Sequence, residues 1–508
     1  MRSSKSVWEN FETGDNYMKR RDFLKATGAA ATAAAMPQLA QGEDTASPPT
    51  KKPNILFLFS DQQRWDTVEC YGKPIFPGLT PNLDQMATEG VRFENSYTCQ
   101  PVCGPARAAL QTGKYATQTT CFKNNIALPQ DEKTMAHHLS AVGYDVGYIG
   151  KWHLASDGKT YPNVKPFNCR AEPVPPERRG GYKDYWLASD VLEFTSHGYD
   201  GHMFDADGKK REFPEGRYRV DAQTDWVIEY LRTRKADADN GADKPFFLFV
   251  SYIEPHHQND HDHFEGPHGS KEKFRDYTTP GDLKGTKGDW KTELPDYLGC
   301  CHALDANVGR IRDELAKLGL DENTLVIYTD DHGCHFRTRN GEYKRSCHDN
   351  SIRTPLIVRG PGFAGGKVVD DMVSLLDLTP TVLAAGGAKL PDHLAGRPLQ
   401  GLVDGSAKDW PEDVFMQISE SGCDRAVRTK RWTYCVEAPK GKARYDTCDS
   451  EVYKEAFLYD NQADPHQRTN LVDSQAHAKI RAELREALLR RMNAAGEETP
   501  KIQLTTEA

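Results

Sequence analysis

The apolar positions of this chain fall into short unbroken runs separated by stretches of helical period. Asn54 to Ser60 reads Asn-Ile-Leu-Phe-Leu-Phe-Ser, bounded by Pro53 and Asp61. A run of four to eight residues that is apolar on both faces is the pattern of a strand covered by helices on both sides of a parallel sheet. Asp145 to Ile149, Phe246 to Ile253, Thr324 to Thr329 and Pro355 to Val358 are of the same kind. Between them, Thr134 to Val142, Val220 to Arg232 and Asp296 to Leu318 carry apolar residues at helical spacing. The alternation predicts an α/β fold on a large mixed, mostly parallel sheet sandwiched by helices.

From about Leu399 the pattern changes. Val414 to Ile418 and Trp432 to Val436 read as short strands, Asp460 to Asn470 is rich in turn formers, and Ala476 to Met492 has the period of a long amphipathic helix. These predict a smaller C-terminal α+β subdomain over 399–508, packed on a main domain over 53–398, with a Pro/Ser/Thr/Lys linker at 42–52.

Polar residues gather just past the strand ends. Asp61-Gln62 follows the first run, Gly150-Lys151-Trp152-His153 the second, Glu254-Pro255-His256 the third and Asp330-Asp331-His332-Gly333 the fourth. In open α/β sheets that edge is where ligands bind, so separate segments point at one site. Carboxylates suit a hard cation, and Asp61 with Gln62 and Asp331 with His332 would clamp one between two loops. The ordinary alternative for each aspartate alone is a turn after a strand. Cys103-Gly104-Pro105-Ala106-Arg107 opens a short helix that ends at Thr112-Gly113, which sets Arg107 one turn beyond Cys103 on the same face. In an extended segment, Lys151 and His153 point to one side and Trp152 to the other.

Composition narrows the class. The chain has 508 residues, 38% of them hydrophobic, and a formal net charge of -9, which argues against a general nucleic-acid binder. No apolar run reaches membrane-spanning length. Near the start, Lys19-Arg20-Arg21-Asp22-Phe23-Leu24-Lys25 precedes a weakly apolar stretch from Ala26 to Ala35, and Leu39-Ala40-Gln41 offers small residues for cleavage. This resembles a twin-arginine export signal, with Lys19 where Ser or Thr is usual and Met18 read as the start. Residues 1–41 are therefore expected to be an extension and signal peptide, and periplasm or cell surface the address. Twelve cysteines leave an odd number once Cys103 is set aside, and no disulfide connectivity is predicted.

Together the motifs resemble those of the type I, formylglycine-dependent sulfatases of the alkaline-phosphatase-like superfamily. Cys103-Gly104-Pro105-Ala106-Arg107 is similar to the C-x-P-x-R signature, with Ala106 at a position where serine is usual. Gly150-Lys151-Trp152-His153-Leu154 is similar to the second signature. Asp61-Gln62 matches the family's first metal pair, and Asp331-His332 its later one, which leaves Asp330 at a serine position. Pro255-His256, Lys344 eleven positions before Pro355, and the ending Leu458-Tyr459-Asp460, Asp464-Pro465, Asn470-Leu471 match as well.

The resemblance implies that a formylglycine-generating enzyme converts Cys103 to formylglycine (3-oxoalanine), and that one calcium ion is held by Asp61, Gln62, residue 103, Asp331 and His332. It implies that Arg107 holds the aldehyde hydrate, Lys151 binds sulfate, His153 transfers a proton, and His256 and Lys344 contact the sulfate and the departing alcohol. Sulfate monoester hydrolysis follows, and the export signal with the polar and aromatic stretches Tyr182 to Tyr199 and His256 to Phe264 suggests a sulfated saccharide. Two alternatives stay open at this point: a phosphonate monoester or phosphodiester hydrolase of the same superfamily, and a non-catalytic carbohydrate-binding relative with an unconverted Cys103. His257, His261, His263 and His348 are open between pocket lining, solvated loop and a second metal site.

Overall fold

The computed structural model describes residues 51–155, 168–441 and 445–505, so the expected export signal and most of the linker lie outside the described residues. Two sheets organise the chain. The first holds ten strands: β1 Asn54–Ser60, β2 Val91–Tyr97, β3 Asp145–Lys151, β4 Tyr185–Ser189, β5 His202–Asp205, β6 Lys210–Glu212, β7 Phe246–Ser251, β8 Thr324–Asp330, β9 Leu356–Arg359 and β10 Lys367–Ser374. Their spatial order is β10-β2-β9-β8-β1-β7-β3-β4-β5-β6. The centre, β8-β1-β7-β3-β4, is parallel throughout.

Pro355 to Val358, expected as one more parallel strand, differs. It becomes β9, antiparallel to both β8 and β2. A short apolar run carries no signal of strand direction, which is set by the path of the connecting chain. The sheet is mixed and mostly parallel.

Alternation within β1 shows why the runs are apolar on both faces. Ile55, Phe57 and Phe59 enter one hydrophobic cluster with Phe247, Phe249 and Tyr148. Leu56 and Leu58 enter the other, with Leu248, Val250 and Val326. Helices Cys103–Thr112, Met135–Ala141 and Leu378–Ala385 cover the first face, and Pro81–Glu89, Arg219–Asp239 and Trp290–Lys317 the second. Burying each such side chain is worth about 1.5–3 kcal/mol, so the two faces lock the strands and hold their carboxyl ends at fixed positions.

The second sheet runs β11 Asp413–Ile418, β12 Asp424–Thr429, β13 Trp432–Glu437, β14 Val452–Asp460 and β15 Lys501–Gln503 in that order. Helix Ala478–Ala494 lays Leu484, Leu488 and Met492 against Tyr434, Val436 and Leu458. The described residues from 51 onward form one compact unit. At the junction, Val414, Met416 and Cys435 share a cluster with Tyr97, Cys347 and Met372 of the first sheet and its loops.

One buried ion pair ties the second sheet to the loop that carries Lys344. Arg428 on β12 donates Nε and Nη2 to the two carboxylate oxygens of Asp349, both at 2.9 Å. Removing one partner of such a pair leaves the other charge buried and unpaired. Arg428→Ala is expected to lower stability by about 3–5 kcal/mol, measured by urea unfolding, and an unchanged midpoint would exclude this tie.

Candidate active site

The carboxyl edge of the parallel strands converges on Cys103. That residue begins the helix Cys103–Thr112, where the Val102 side chain makes no cap and Asn124 Oδ1 instead accepts the Gly104 N–H at 2.9 Å. The helix stops at Gly113, which takes a left-handed φ of 71° that closes the last turn. Cys103 is 1% exposed. Its Sγ lies 2.9 Å from Lys344 Nζ, 3.2 Å from His332 Nε2 and 3.4 Å from Asp61 Oδ1.

The neighbours arrive from several strand ends, with His332 and Lys344 both in the connection after β8. Asp61 follows β1 and is fully buried, and Gln62 turns the chain with a φ of 73°. The Gln62 N–H donates to Asp331 Oδ1 at 3.1 Å, which joins the loops after β1 and β8. Lys151, the last residue of β3, places Nζ 2.9 Å from Asp61 Oδ2 and 3.3 Å from Glu193 Oε2. Lys344 Nζ also donates to Gln62 Oε1 at 3.2 Å and meets His256 Nε2 at 3.1 Å. His153 lies beside Cys103 and favours its ionised form. The chain is not extended there: β3 ends at Lys151 and His153 has a φ of 58°, so a turn rather than strand alternation brings both side chains to the cluster.

Arg107 reaches the site from beneath Cys103. Its guanidinium packs beneath the carboxylates, with Nη2 2.9 Å from Asp61 Oδ2 and 3.4 Å from Asp331 Oδ2, while Nη1 donates to Ser251 Oγ at 2.6 Å and to the Lys151 carbonyl at 3.1 Å. Through Nη1 and Nη2, Arg107 holds the loops around residue 103, while its buried Nε makes no hydrogen bond.

Opposed charges at close range set the protonation states. Burial pushes Asp61 up and the Cys103 thiol adds to that, but Lys151, His256 and Arg107 outweigh both and hold its carboxyl well below the usual range. Burial and the neighbouring Asp61 push Asp331 up to about 6, against His332 and Arg107. Asp330 is raised well above the usual range by burial and Asp331. Burial alone would raise the Cys103 thiol, yet Lys344, Lys151 and His332 bring it well below its ordinary value. His256 is pushed down to about 4 by burial, Lys344 and Lys151, so it is a neutral imidazole at neutral pH. Burial opposes the charge on Lys344, and Cys103 and Asp61 more than restore it.

One ligand atom from each of Asp61, Cys103, Asp331 and His332 lies within 4.8 Å of the others. Asp331 Oδ2 accepts no hydrogen bond although fully buried. Two buried carboxylates side by side, one of them resisting ionisation, are what a divalent cation relieves. The residues fit a metal.

The structure brings together every residue singled out from the motifs: Asp61, Gln62, Cys103, Arg107, Lys151, His153, His256, Asp331, His332 and Lys344. His348 is elsewhere, with Nε2 3.1 Å from Tyr459 Oη at the junction of the sheets. Sequence reasoning missed Glu193 and Ser251. Glu193 is 3% exposed and follows β4, a fifth strand end at the same edge. An acidic residue inside the apolar triplet Leu192 to Phe194 was the available signal.

Residues 53–388 match the family model described as Sulfatase, residues 341–494 the model of the N-sulphoglucosamine sulphohydrolase C-terminal region, and residues 18–37 the twin-arginine translocation signal, which marks export from the bacterial cytoplasm. An ulvan-active sulfatase of Formosa agariphila is 31% identical over 469 residues, covering 88% of this chain and 82% of that one. The crystal structure of a candidate sulfatase from Bacteroides fragilis superposes with a TM-score of 0.74 at 26% identity, over 90% of this chain and 99% of that one. A phosphonate monoester hydrolase of Silicibacter pomeroyi shares the fold, with a TM-score of 0.63 at 22% identity, over 88% and 96%.

Proposed function

The chain belongs to the sulfatase family, and on that premise we propose that it hydrolyses the sulfate monoesters of exported or extracellular saccharides with residue 103, converted from cysteine to formylglycine, as nucleophile. The observation that carries the reading is the convergence on the Cys103 side chain of Lys344, His332 and Asp61 from three separate segments. Once oxidised and hydrated, that residue supplies two geminal hydroxyls, one to attack sulfur and one whose deprotonation releases sulfate.

Calcium is the cation proposed for Asp61, Gln62, Asp331 and His332. A thiolate is a poor ligand for so hard an ion and an oxygen is a good one, so the donor set suits calcium best when residue 103 carries oxygen. A cation held there supplies positive charge that acidifies a hydroxyl and offsets a sulfate oxygen. Calcium at 100 times its Kd is expected to stabilise the folded protein by about 2.7 kcal/mol. Asp331→Asn is expected to remove most of that shift in a thermal melt, and a full calcium shift in the variant would contradict the assignment.

Protein groups supply the rest. Lys151 and Lys344 present two buried ammonium groups to the transferring sulfuryl group, where low dielectric strengthens each contact. His256 is neutral and accepts a hydrogen bond from Lys344, which holds the ammonium against the side chain at 103, where one of its protons can pass to the departing oxygen; the imidazole itself has no proton to lend on that nitrogen. His153, beside the side chain at 103, is placed to remove the proton of the second hydroxyl. Arg107 keeps Asp61 and Asp331 ionised and in place.

The periplasm or cell surface is the proposed address. A saccharide substrate is supported by the ulvan-active relative and by the match to an aminosugar sulphohydrolase model. The test compares kcat/KM for an aryl sulfate with that for a phenyl phosphonate, then extends to a panel of sulfated mono- and oligosaccharides. Preference for the sulfate is expected, and a large preference for the phosphonate would assign the phosphorus chemistry of the structural neighbour instead. Inactivity on every saccharide alongside rapid turnover of simple alkyl sulfates would overturn the saccharide proposal alone.

A further inference from the structure

The loop that follows His256 carries a second cluster of ligating side chains. Its chain order is His261-Asp262-His263-Phe264-Glu265, with alternate residues bearing donors. Asp262 has a left-handed φ of 53°. The turn is closed by Gln258 N–H to the His263 carbonyl at 2.9 Å and His261 N–H to the Gln258 carbonyl at 3.2 Å. Phe264 anchors it, 1% exposed and packed edge-on to Tyr297 and Tyr343. These features give the loop a built shape.

Within it the donors converge. Glu265 Oε1 lies 2.5 Å from His261 Nδ1 and 3.7 Å from His263 Nε2, and the three residues meet as one potential ligand group. Bonds of about 2.0–2.2 Å to a zinc-class ion set neighbouring donors roughly 3.3 Å apart, between those two values. Orientation supports the same reading. His263 Nδ1 faces the His261 carbonyl at 2.9 Å, and a carbonyl only accepts, so Nδ1 carries the proton and Nε2 turns its lone pair toward a carboxylate. Two acceptors facing each other call for a proton or a cation between them. A backbone carbonyl that fixes the far nitrogen is also the usual outer support of a metal-bound histidine. Glu265 is held in turn, its Oε2 accepting the Gly198 N–H at 2.7 Å.

Neighbouring His197 is excluded from the ligand set. Its two ring nitrogens face Asp200 at 2.9 Å and Asp260 at 3.1 Å, so both are donors and no lone pair remains. The triad lines a cavity of about 420 Å3 together with Tyr199, His268 and Lys271, which leaves coordination positions open on that side.

The geometry points to a second metal site, in which His261, His263 and Glu265 bind one borderline divalent cation of the zinc class with open positions toward the cavity. Two imidazoles and one carboxylate suit such an ion, whereas the carboxylate-rich cluster at Cys103 suits a hard one. On binding, the Nδ1 proton that His261 shares with Glu265 Oε1 passes by way of solvent to Nε2 of the same ring, and the ion takes its place between Nδ1 and the carboxylate.

The test is calorimetric titration of the full-length protein with zinc chloride in the presence of saturating calcium. One zinc ion per chain is expected. His261→Ala/His263→Ala is expected to bind that ion at least about 100-fold more weakly, and Glu265→Gln roughly 10-fold more weakly. His263→Asn gives the same readout with the turn preserved, since an Asn amide can keep the bond to the His261 carbonyl while removing the Nε2 donor. Equal zinc affinity in the wild type and in both histidine variants, or no zinc uptake by the wild type, overturns the site.

Discussion

Replacing Cys103 with alanine is expected to lower kcat/KM for an aryl sulfate by at least about four orders of magnitude, the scale on which loss of a covalent nucleophile is felt. Every polar group of the site is arranged about this side chain: Lys344 Nζ at 2.9 Å, His332 Nε2 at 3.2 Å and Asp61 Oδ1 at 3.4 Å. Removing it takes away the reacting atom and leaves its partners aimed at a gap. The fold has little to lose, because a small side chain is deleted and the helix keeps its Asn124 support and its Gly113 stop. Tm within a few degrees of the parent is therefore expected alongside the loss of turnover. Activity within tenfold of the parent would move the nucleophile to another residue.

The second large effect is expected at Lys344, and it depends on the substrate. Lys344→Met removes a cation next to the sulfuryl group and the proton donor proposed for the leaving oxygen. Charge stabilisation is worth about 10^2–10^3 in rate and acid catalysis a further 10^2 or more. An aryl sulfate with a good leaving group needs no proton, so it is expected to lose roughly 10^2 in kcat/KM. A saccharide or alkyl sulfate, whose oxygen leaves poorly, is expected to lose roughly 10^4. Equal losses on the two substrates would confine Lys344 to binding charge and shift the donor elsewhere. His256 is ill suited to replace it, since burial, Lys344 and Lys151 keep its imidazole neutral above about pH 4.

Much of the fold was legible because the signal was local. A fully apolar run such as Asn54–Ser60 is apolar only where both faces are covered, and its neighbours on both sides bear that out. Asp61, Lys151, His256 and Asp331 were legible because strand ends at one edge of a parallel sheet share a site. What escaped depends on geometry that sequence does not encode locally. The direction of β9 is set by the chain path, so a short run read as parallel proved antiparallel. Arg107 lies one turn from Cys103, yet its length carries the guanidinium past that residue to Asp61 and Asp331. Glu193 joins the site through Lys151, across a contact that no spacing announces. The ending at 399–508 was readable as an α+β unit, but the Arg428 to Asp349 tie that connects it to the Lys344 loop was not.

Burial also bears on maturation. On the proposed conversion, Cys103 at 1% exposure is out of reach of a modifying enzyme once the helix Cys103–Thr112 has packed, so that step would precede folding, and export by the twin-arginine route would follow. The central claim is that residue 103 of the working protein is an aldehyde. Cleavage after Arg92 and Arg107 releases the peptide Phe93 to Arg107, which holds both Cys99 and Cys103. Mass spectrometry of that peptide, from denatured protein made in a host with the maturation enzyme and treated with a thiol alkylator, is expected to show alkylation at Cys99 only and an aldehyde that reacts with a hydrazide at residue 103. Alkylation at both cysteines in catalytically active protein would contradict the account.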